Sequence, residues 1–155
     1  KARPVAEQMD WVHSVDSLRL ATRLDRFAGE QGKRLPVLLE LNVSGEASKE
    51  GYPAWDEATL GAFLEQEVAP LAALPHLEVR GLMTVAPIVA DPEQARPVFQ
   101  RLRVVRDLLR AQHPFSAWSD LSMGMSDDFE VAIEEGATLV RIGRALFGER
   151  PPVQP

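Results

Sequence analysis

Apolar positions along the chain alternate between two spacings, one typical of strands and one typical of helices. Residues 11–16 form a short β-like run. After Ser17, a favourable N-cap, apolar residues recur at helical spacing until Gly32 ends the helix. Residues 35–43 are then almost continuously apolar and branched, which predicts a strand covered on both faces. The chain therefore begins with strand, helix and strand.

The same alternation continues towards the end of the chain. A second helix is predicted from about residue 56, and Pro70 is expected to break it early. A third helix is opened by Asp91-Pro92 or by Pro97. The remaining strands are predicted at residues 77–85, 118–122 and 138–142, and the remaining helix starts at residues 127–130 and 144–147.

Five strand–helix units with short connections predict a parallel sheet and the α/β class. A TIM-type (β/α)8 barrel and an open five-stranded, flavodoxin-like sheet both fit this alternation. A complete barrel needs eight units and about 250 residues, so the 155 residues of this chain would supply an incomplete one. Periodicity alone does not choose between the two folds.

Composition argues against several classes of function. The formal net charge is −6 and the arginines are scattered, so nucleic acid and anionic membranes are not expected partners. The chain has no cysteine, which excludes a thiol nucleophile and a thiolate metal site. No apolar run approaches the roughly 20 residues needed to span a bilayer. These features favour a cytoplasmic protein.

No metal site is predicted. His13, His76 and His113 lack the spacing of a helical metal site, and we expect them at the surface. Asp127 and Asp128 are adjacent carboxylates that could suggest Mg²⁺, but at a helix start they already interact favourably with the helix dipole.

A candidate phosphate site lies at residues 121–129, where a strand end, a glycine turn and a helix start follow one another. Ser122 and Ser126 offer hydroxyls, Gly124 lets the backbone approach closely, and the first amides of a helix carry partial positive charge. The alternative is a simple N-cap turn, because Ser and Asp are favoured caps and residues 127–130 have capping-box spacing.

A second candidate anion site follows at the end of the next strand. Period-2 alternation directs Arg141 to the inner face of the sheet, where a buried guanidinium needs a partner. The partner could be a ligand at the top of the barrel or a carboxylate such as Glu40, and both roles could coexist. Gly143 and the amide of Arg144 would then complete the cradle that the first turn begins.

Several motifs in this order resemble the signatures of the pyridoxal phosphate homeostasis protein family, also known as YggS or PROSC proteins. The family shares the barrel of the alanine racemase N-terminal domain. The motifs lie at residues 13–17, 42–46, 48–49, 80–84, 121–126, 140–144 and 147–148. The resemblance implies that residues 1–150 are the C-terminal portion of one barrel domain, about its last five βα units. Residues 151–155 are then a C-terminal tail.

The resemblance also implies a ligand, pyridoxal 5'-phosphate, and a set of residues that contact it. The phosphate-binding turn of the family corresponds to Ser122, Met123, Gly124 and Ser126, and its second half to Gly143 and the Arg144 amide. Arg141 corresponds to the residue that contacts the pyridine nitrogen. Two further residues, Asn42 and Met83, correspond to positions near the ring. An arginine at that nitrogen can only donate a hydrogen bond, so the ring is expected to be a poor electron sink.

The chain departs from the family pattern in one respect. The family's Schiff-base lysine belongs to a segment that would precede Lys1, and neither Lys1, Lys33 nor Lys49 matches it. We therefore expect that lysine in an N-terminal segment absent from this sequence.

The resemblance implies a carrier or regulator of the cofactor in vitamin B6 homeostasis, with no established catalytic activity and no catalytic residue. Pyridoxal phosphate-dependent apoenzymes are candidate partners, and the expected state of the complete protein is a monomer. The alternative is a racemase-like enzyme on the same barrel. Such an enzyme needs a second acid/base and commonly a further domain, and neither is visible in this sequence.

Overall fold

Parallel strands in sequential order form the single sheet that organises the molecule. The computed structural model describes residues 1–148, so the predicted tail and the last two residues of the predicted domain lie outside the described part. The strands are β1 Val12–Val15, β2 Leu35–Asn42, β3 Tyr52–Pro53, β4 Leu77–Met83, β5 Asp120–Met125 and β6 Leu139–Arg141. The helices are α1 Ala2–Gln8, α2 Leu18–Glu30, α3 Glu57–Gln66, α4 Val68–Ala72, α5 Arg96–Gln112, α6 Phe129–Glu134 and α7 Arg144–Phe147, with a 3₁₀ turn at Pro92–Ala95.

The strand order separates the two folds that periodicity left open. The order is β1-β2-β4-β5-β6, and the short β3 pairs with the end of β2 through Leu41 and Tyr52. All of these pairs are parallel. A doubly wound sheet reverses its strand order at a switch point, whereas this sheet never reverses. The flavodoxin-like alternative is therefore wrong, and the partial (β/α) barrel is confirmed.

The hydrophobic core lies between the sheet and its helices. On β2, Val37, Leu39 and Leu41 are almost fully buried in this layer. The longer helices each contribute one apolar stripe; on α5 these buried residues are Phe99, Leu102, Val105 and Leu109. A buried aliphatic side chain contributes about 1.5–3 kcal/mol, so this layer is the main source of stability.

The first predicted helix follows its sequence signals closely. The Ser17 hydroxyl accepts from the Leu20 amide at 3.3 Å, which satisfies one of the unpaired amides at the start of α2. Gly32 follows the helix with a φ of 65°, a backbone conformation that favours glycine. The predicted cap and stop are both confirmed.

The break after α3 differs in detail from the prediction. The helix ends at Gln66 and α4 begins at Val68, so the interruption is at Glu67. Pro70 lies in the first turn of α4. An amide N–H at that position would have no acceptor within the helix, so the lack of one in proline costs no helical hydrogen bond. The helix does end early, but Pro70 is inside the next helix and is not itself the point of the break.

Both proposed openings of the third helix are used. Pro92 begins the 3₁₀ turn and Pro97 lies in the first turn of α5. The strand predicted at residues 118–122 was placed too early, since β5 begins only at Asp120. Trp118 instead closes the preceding loop: it is fully buried with φ 48°, and its indole N–H donates to the His113 carbonyl at 2.7 Å.

Two elements were not predicted, α1 and β3. Within residues 1–148, no helix is both long and apolar enough to cross a membrane.

Candidate functional site

An open cleft of about 580 Å³ lies at the carboxyl ends of β5 and β6. Parallel strands place their carboxyl ends at one rim of a barrel, which is where such folds bind ligands. Its lining residues are Ile88, Met125, Ser126, Asp127, Arg141, Gly143, Arg144, Phe147 and Gly148. The structure therefore brings together four of the predicted site residues: Ser126, Arg141, Gly143 and Arg144.

The two loops of the predicted cradle are directly connected. The Ser126 hydroxyl accepts from the Ala145 amide in the first turn of α7 at 3.1 Å. Gly143 is the N-cap of the same helix, and a methyl group built on it would meet no atom within 4 Å. Arg144 and Asp127 form an ion pair between the same two loops. Ser126 and Gly143 thus lie on one rim of the molecule, with open space beside them.

Gly124 allows close packing of α6 against β5, and its predicted contact with a phosphate stays a prediction. Its φ is 91°, and a Cβ atom there would lie 2.6 Å from the Ala132 Cβ and 3.0 Å from the Phe129 Cα. Glycine therefore lets α6 lie directly against β5. The Met123 side chain is fully buried in the sheet–helix core, so only its backbone could take part in the predicted phosphate turn.

The predicted capping box at residues 127–130 is wrong. The N-cap of α6 is Asp128, and its carboxylate accepts from the Met125 amide at 2.7 Å rather than from the helix. The Asp128 amide in turn donates to the Met125 carbonyl at 3.1 Å. These two bonds close the turn on itself and hold Ser126 and Asp127 at its tip.

Arg141 enters the inner face from β6, as the alternation predicted, and makes two hydrogen bonds there. One Nη donates to the Ser122 hydroxyl at 2.7 Å, and the other donates to the Thr84 carbonyl at 2.9 Å. Burial lowers the pKa of Arg141, while Glu40 and Asp128 act in the opposite direction. Arginine nevertheless remains a cation at any physiological pH.

The alternative of a direct salt bridge from Arg141 to Glu40 is wrong. Among the described residues the two side chains form no ion pair within 4.0 Å, and they interact only through space. Glu40 lies half-buried on the inner face of β2, where burial, and then the Asp16 charge, raise the pKa of its carboxyl. The inner face therefore holds opposite charges that do not touch.

Ser122 lies below the cleft rather than in it. Its hydroxyl is fully buried, accepts from Arg141 and lies 3.1 Å from Nδ1 of His13. Because Arg141 can only donate, the Ser122 hydroxyl is free to donate its own proton to His13. Its direct contact with phosphate stays a prediction, and the structure shows it positioning Arg141.

His13 is an inner-face residue that the sequence analysis missed. It is partly buried on β1, although we expected it at the surface. Burial lowers the pKa of His13, the Arg141 charge lowers it further, and Asp120 acts in the opposite direction. The sequence did contain a signal for this position. His13 lies within a β-like run and follows Val12, and neighbouring side chains on a strand point to opposite faces. If Val12 faces the helices, His13 faces the inner side of the sheet.

Asn42 and Met83 do not line the cleft. The Asn42 amide folds the following loop: Nδ2 donates to the Glu46 carbonyl at 2.9 Å, and Oδ1 accepts from the Gly45 amide at 3.0 Å. Met83 is buried on the inner face, in register with Ser122 of β5. The predicted contacts of both residues with the ring of a ligand stay predictions.

None of the described residues that line the cleft is a lysine. Lys33 donates to the Met9 carbonyl at 3.0 Å, and Lys49 donates to the Ala86 carbonyl at 3.3 Å. The cleft, as far as its described residues go, thus offers hydroxyl, backbone and guanidinium groups for an anion but no amine of its own.

Comparison with known proteins gives consistent matches over almost the whole chain. The family model described as the alanine racemase N-terminal domain matches residues 1–151. The pyridoxal phosphate homeostasis protein of Vibrio alginolyticus is 42% identical over 150 residues, which cover 97% of this chain and 60% of that protein. The chain therefore spans about 60% of the length of this relative.

Solved structures agree with the sequence matches. PipY of Synechococcus elongatus, with PLP bound, superposes with a TM-score of 0.80 at 40% identity, over 96% of this chain and 65% of that one. An alanine racemase of Clostridium difficile 630 superposes with a TM-score of 0.68 at 17% identity, over 97% of this chain and 40% of that one, which shows the fold alone. These matches confirm the resemblance drawn from the motifs.

Proposed function

The chain belongs to the alanine racemase N-terminal domain family, and from that premise we propose that it holds the phosphate and ring of pyridoxal 5'-phosphate in a pyridoxal phosphate homeostasis protein. The role is that of a carrier or regulator of the cofactor, with pyridoxal phosphate-dependent apoenzymes as recipients. The observation that carries the proposal is the rim cleft, where Ser126 and Gly143 from two loops lie beside the guanidinium of Arg141.

The cleft suits a phosphoryl group in charge and in shape. Arg141 and Arg144 line it as cations, and the Ser126 hydroxyl lies at its edge. Gly143 leaves its backbone open on that side. A volume of about 580 Å³ is within the range of ordinary small-molecule sites. The residues present therefore fit the phosphate end of the ligand.

Arg141 suits the ring nitrogen. Ser122 and Thr84 hold its guanidinium from two neighbouring strands. The guanidinium can donate a hydrogen bond but cannot supply a proton, because its pKa is far above neutral. When bound, pyridoxal phosphate supplies an aldehyde and an electron-withdrawing ring, and a ring nitrogen left unprotonated withdraws electrons poorly. Arg141 therefore disfavours reactions that need a strong electron sink, such as transamination.

Calorimetric titration with pyridoxine 5'-phosphate tests this proposal on the chain itself. This ligand has the phosphate and the ring but no aldehyde, so its binding needs no lysine. We expect binding of pyridoxine 5'-phosphate and much weaker binding of pyridoxine. Ser126→Ala should weaken binding by about fivefold, the loss of about one hydrogen bond. Ser119→Ala is the matched control, because Ser119 is an exposed serine outside the cleft lining.

Equal affinity for pyridoxine and its phosphate would contradict the proposal. So would titrations in which Ser126→Ala and the control bind alike. Racemisation of L-alanine by the chain together with the N-terminal segment expected to carry the Schiff-base lysine, with pyridoxal phosphate added and chiral chromatography as the readout, separates carrier from enzyme. We expect no turnover above that of the free cofactor.

A further inference from the structure

A second cavity, of about 340 Å³, lies at the rim of the sheet opposite the cleft. Its walls come from the residue before β2, the end of α4, the start of β4 and the loop that precedes β5. These strands are central in the sheet order. The volume is within the range of small-molecule sites. No residue that lines the cleft also lines this cavity.

One part of the cavity is lined by apolar side chains, namely Leu71, Leu74, Leu77, Val79 and Phe115. Phe115 is 42% exposed, and its ring packs edge-on against the buried ring of Trp118 with centroids 5.2 Å apart. A ligand that covers the exposed part of Phe115 would remove apolar surface from water. The cavity therefore favours a ligand with an apolar portion.

Two charged side chains at the cavity retain capacity for a ligand. The Arg34 Nε donates to the Pro75 carbonyl at 3.3 Å, and within residues 1–148 its terminal nitrogens make no hydrogen bond or ion pair. One carboxylate oxygen of Glu78 lies 3.5 Å from Arg80, and the other has no partner in the same part of the chain. Arg80 also pairs with Asp120 at 3.3 Å, so it is already held by protein groups.

We propose that this cavity binds an α-amino acid with an apolar side chain, in its zwitterionic form. The ligand's carboxylate accepts from Arg34, its ammonium group donates to Glu78, and its side chain contacts Phe115 and the neighbouring leucines. The inference does not rest on the proposed function, because the two sites share no residue and lie at opposite rims.

The ligand needs both charges because the cavity contains both signs. A ligand with only a carboxylate is attracted by Arg34 and repelled by Glu78, and a ligand with only an ammonium group meets the reverse. A zwitterion is attracted by both residues, and hydrogen bonds between charged groups are stronger than those between neutral groups. The charges therefore select amino acids over simple acids and simple amines.

The loop that forms one wall of the cavity contains a strained backbone position. Trp118 has φ 48°, a conformation that bulky residues rarely adopt. Its amide donates to the Ser116 hydroxyl at 3.1 Å, and that hydroxyl donates to the Val79 carbonyl on β4. Strained positions of this kind cluster at ligand-binding sites. This observation is independent of the charges and points to the same cavity.

Saturation-transfer NMR titration of the full chain with L-phenylalanine tests the inference. We expect binding in the millimolar range. Three analogues should bind at least about fivefold more weakly, the loss of about one hydrogen bond or more. They are N-acetyl-L-phenylalanine, which lacks the ammonium group, L-phenylalaninamide, which lacks the carboxylate, and L-alanine, which lacks the large apolar side chain.

Two variants assign the charges to their partners. Arg34→Gln should weaken binding of L-phenylalanine by about tenfold, the value of a charge-assisted hydrogen bond, and should not weaken binding of L-phenylalaninamide. Glu78→Gln should weaken binding of L-phenylalanine by a similar factor and should not weaken that of N-acetyl-L-phenylalanine. The matched controls are Arg23→Gln on α2 and Glu65→Gln on α3, which remove exposed charges outside the cavity lining.

Three results would overturn the inference. They are equal binding of L-phenylalanine and its analogues by the unmodified chain, variants that bind like their controls, and displacement of L-phenylalanine by pyridoxine 5'-phosphate, which would locate the amino acid in the cleft. Absence of L-phenylalanine binding would also overturn it, while the proposed function would stand on its own titration. Circular dichroism melting checks the fold of each variant, and the comparison of analogues needs no variant.

Discussion

The two faces of the sheet differ in the polarity and charge of their side chains, although they are built from the same strands. On the helix-facing side of β2, Val37, Leu39 and Leu41 are almost fully buried among apolar side chains. On the inner side, Glu40 lies half-buried, and Ser122 links Arg141 to His13 through hydrogen bonds. Alternation along a strand thus lets one segment supply stability on one face and a polar site on the other.

This contrast predicts that substitutions on the two faces fail in different ways. Changes on the helix-facing side should lower the free energy of unfolding and leave intrinsic ligand affinity unchanged. Changes on the inner side should alter titration and binding more than stability.

Leu39→Ala should lower the free energy of unfolding by about 2–5 kcal/mol, the range for an apolar truncation that leaves a cavity. Leu39 is fully buried between the sheet and the helices. Urea denaturation measures the loss. Ile88→Ala is the control, since Ile88 is 95% exposed and should change stability by less than about 0.5 kcal/mol. Similar losses in both variants would remove the distinction between core and surface.

Gly124→Ala should cost about 1–3 kcal/mol, because the new methyl group would collide with Ala132 while the backbone keeps a positive φ. Gly61→Ala is the matched control. Gly61 lies in α3, and a methyl group added there would meet no atom within 4 Å, so alanine should stabilise that helix by up to about 1 kcal/mol. Opposite signs in thermal melts are expected; a neutral Gly124→Ala would refute the packing role.

Arg141→Gln should raise the pKa of His13, since the Arg141 charge is one of the causes that lower it. The measurement is the pH titration of the imidazole resonances by NMR, with no ligand present. Arg110→Gln is the control, a remote arginine near the end of α5. An unchanged His13 titration in Arg141→Gln would show that the inner-face groups are not coupled.

His13 should make stability depend weakly on pH. Its pKa is lower in the folded chain than the ordinary value of 6.5, so below that value the unfolded chain binds more protons. The free energy of unfolding should therefore fall as the pH falls through about 6.5 towards the folded pKa. Comparing urea midpoints of the unmodified chain and His13→Asn across this window isolates the effect.

The elements with strong periodicity were predictable from the sequence, and those fixed by tertiary contacts were not. The apolar stripe of α2 and the continuous apolar run of β2 carry their own signals. The two-residue β3 has no periodicity to detect and exists because it pairs with the end of β2. The start of β5 was misplaced because Trp118 reads as a strand residue but is buried in a loop.

The candidate site was predictable in position but not in its internal contacts. Ser126 and Gly143 follow strands, and Arg141 ends one, whose carboxyl ends meet at one rim, and that rule needs only strand order. The contact between His13 and Ser122 required the curvature of the sheet, which brings the non-adjacent strands β1 and β5 together. Spacing along the sequence contains no information on such contacts.

The Arg141 guanidinium connects three parts of the sheet, since it begins on β6 and contacts Ser122 of β5 and Thr84 just after β4. The Thr84 amide donates to the Ser122 carbonyl at 3.1 Å, between the same two strands. A ligand that immobilises the guanidinium will therefore restrain local opening of those strands, and amide hydrogen exchange at Thr84 will slow on binding. Occupancy of the rim will be readable deep in the sheet, at the backbone amide of a residue that does not line the cleft.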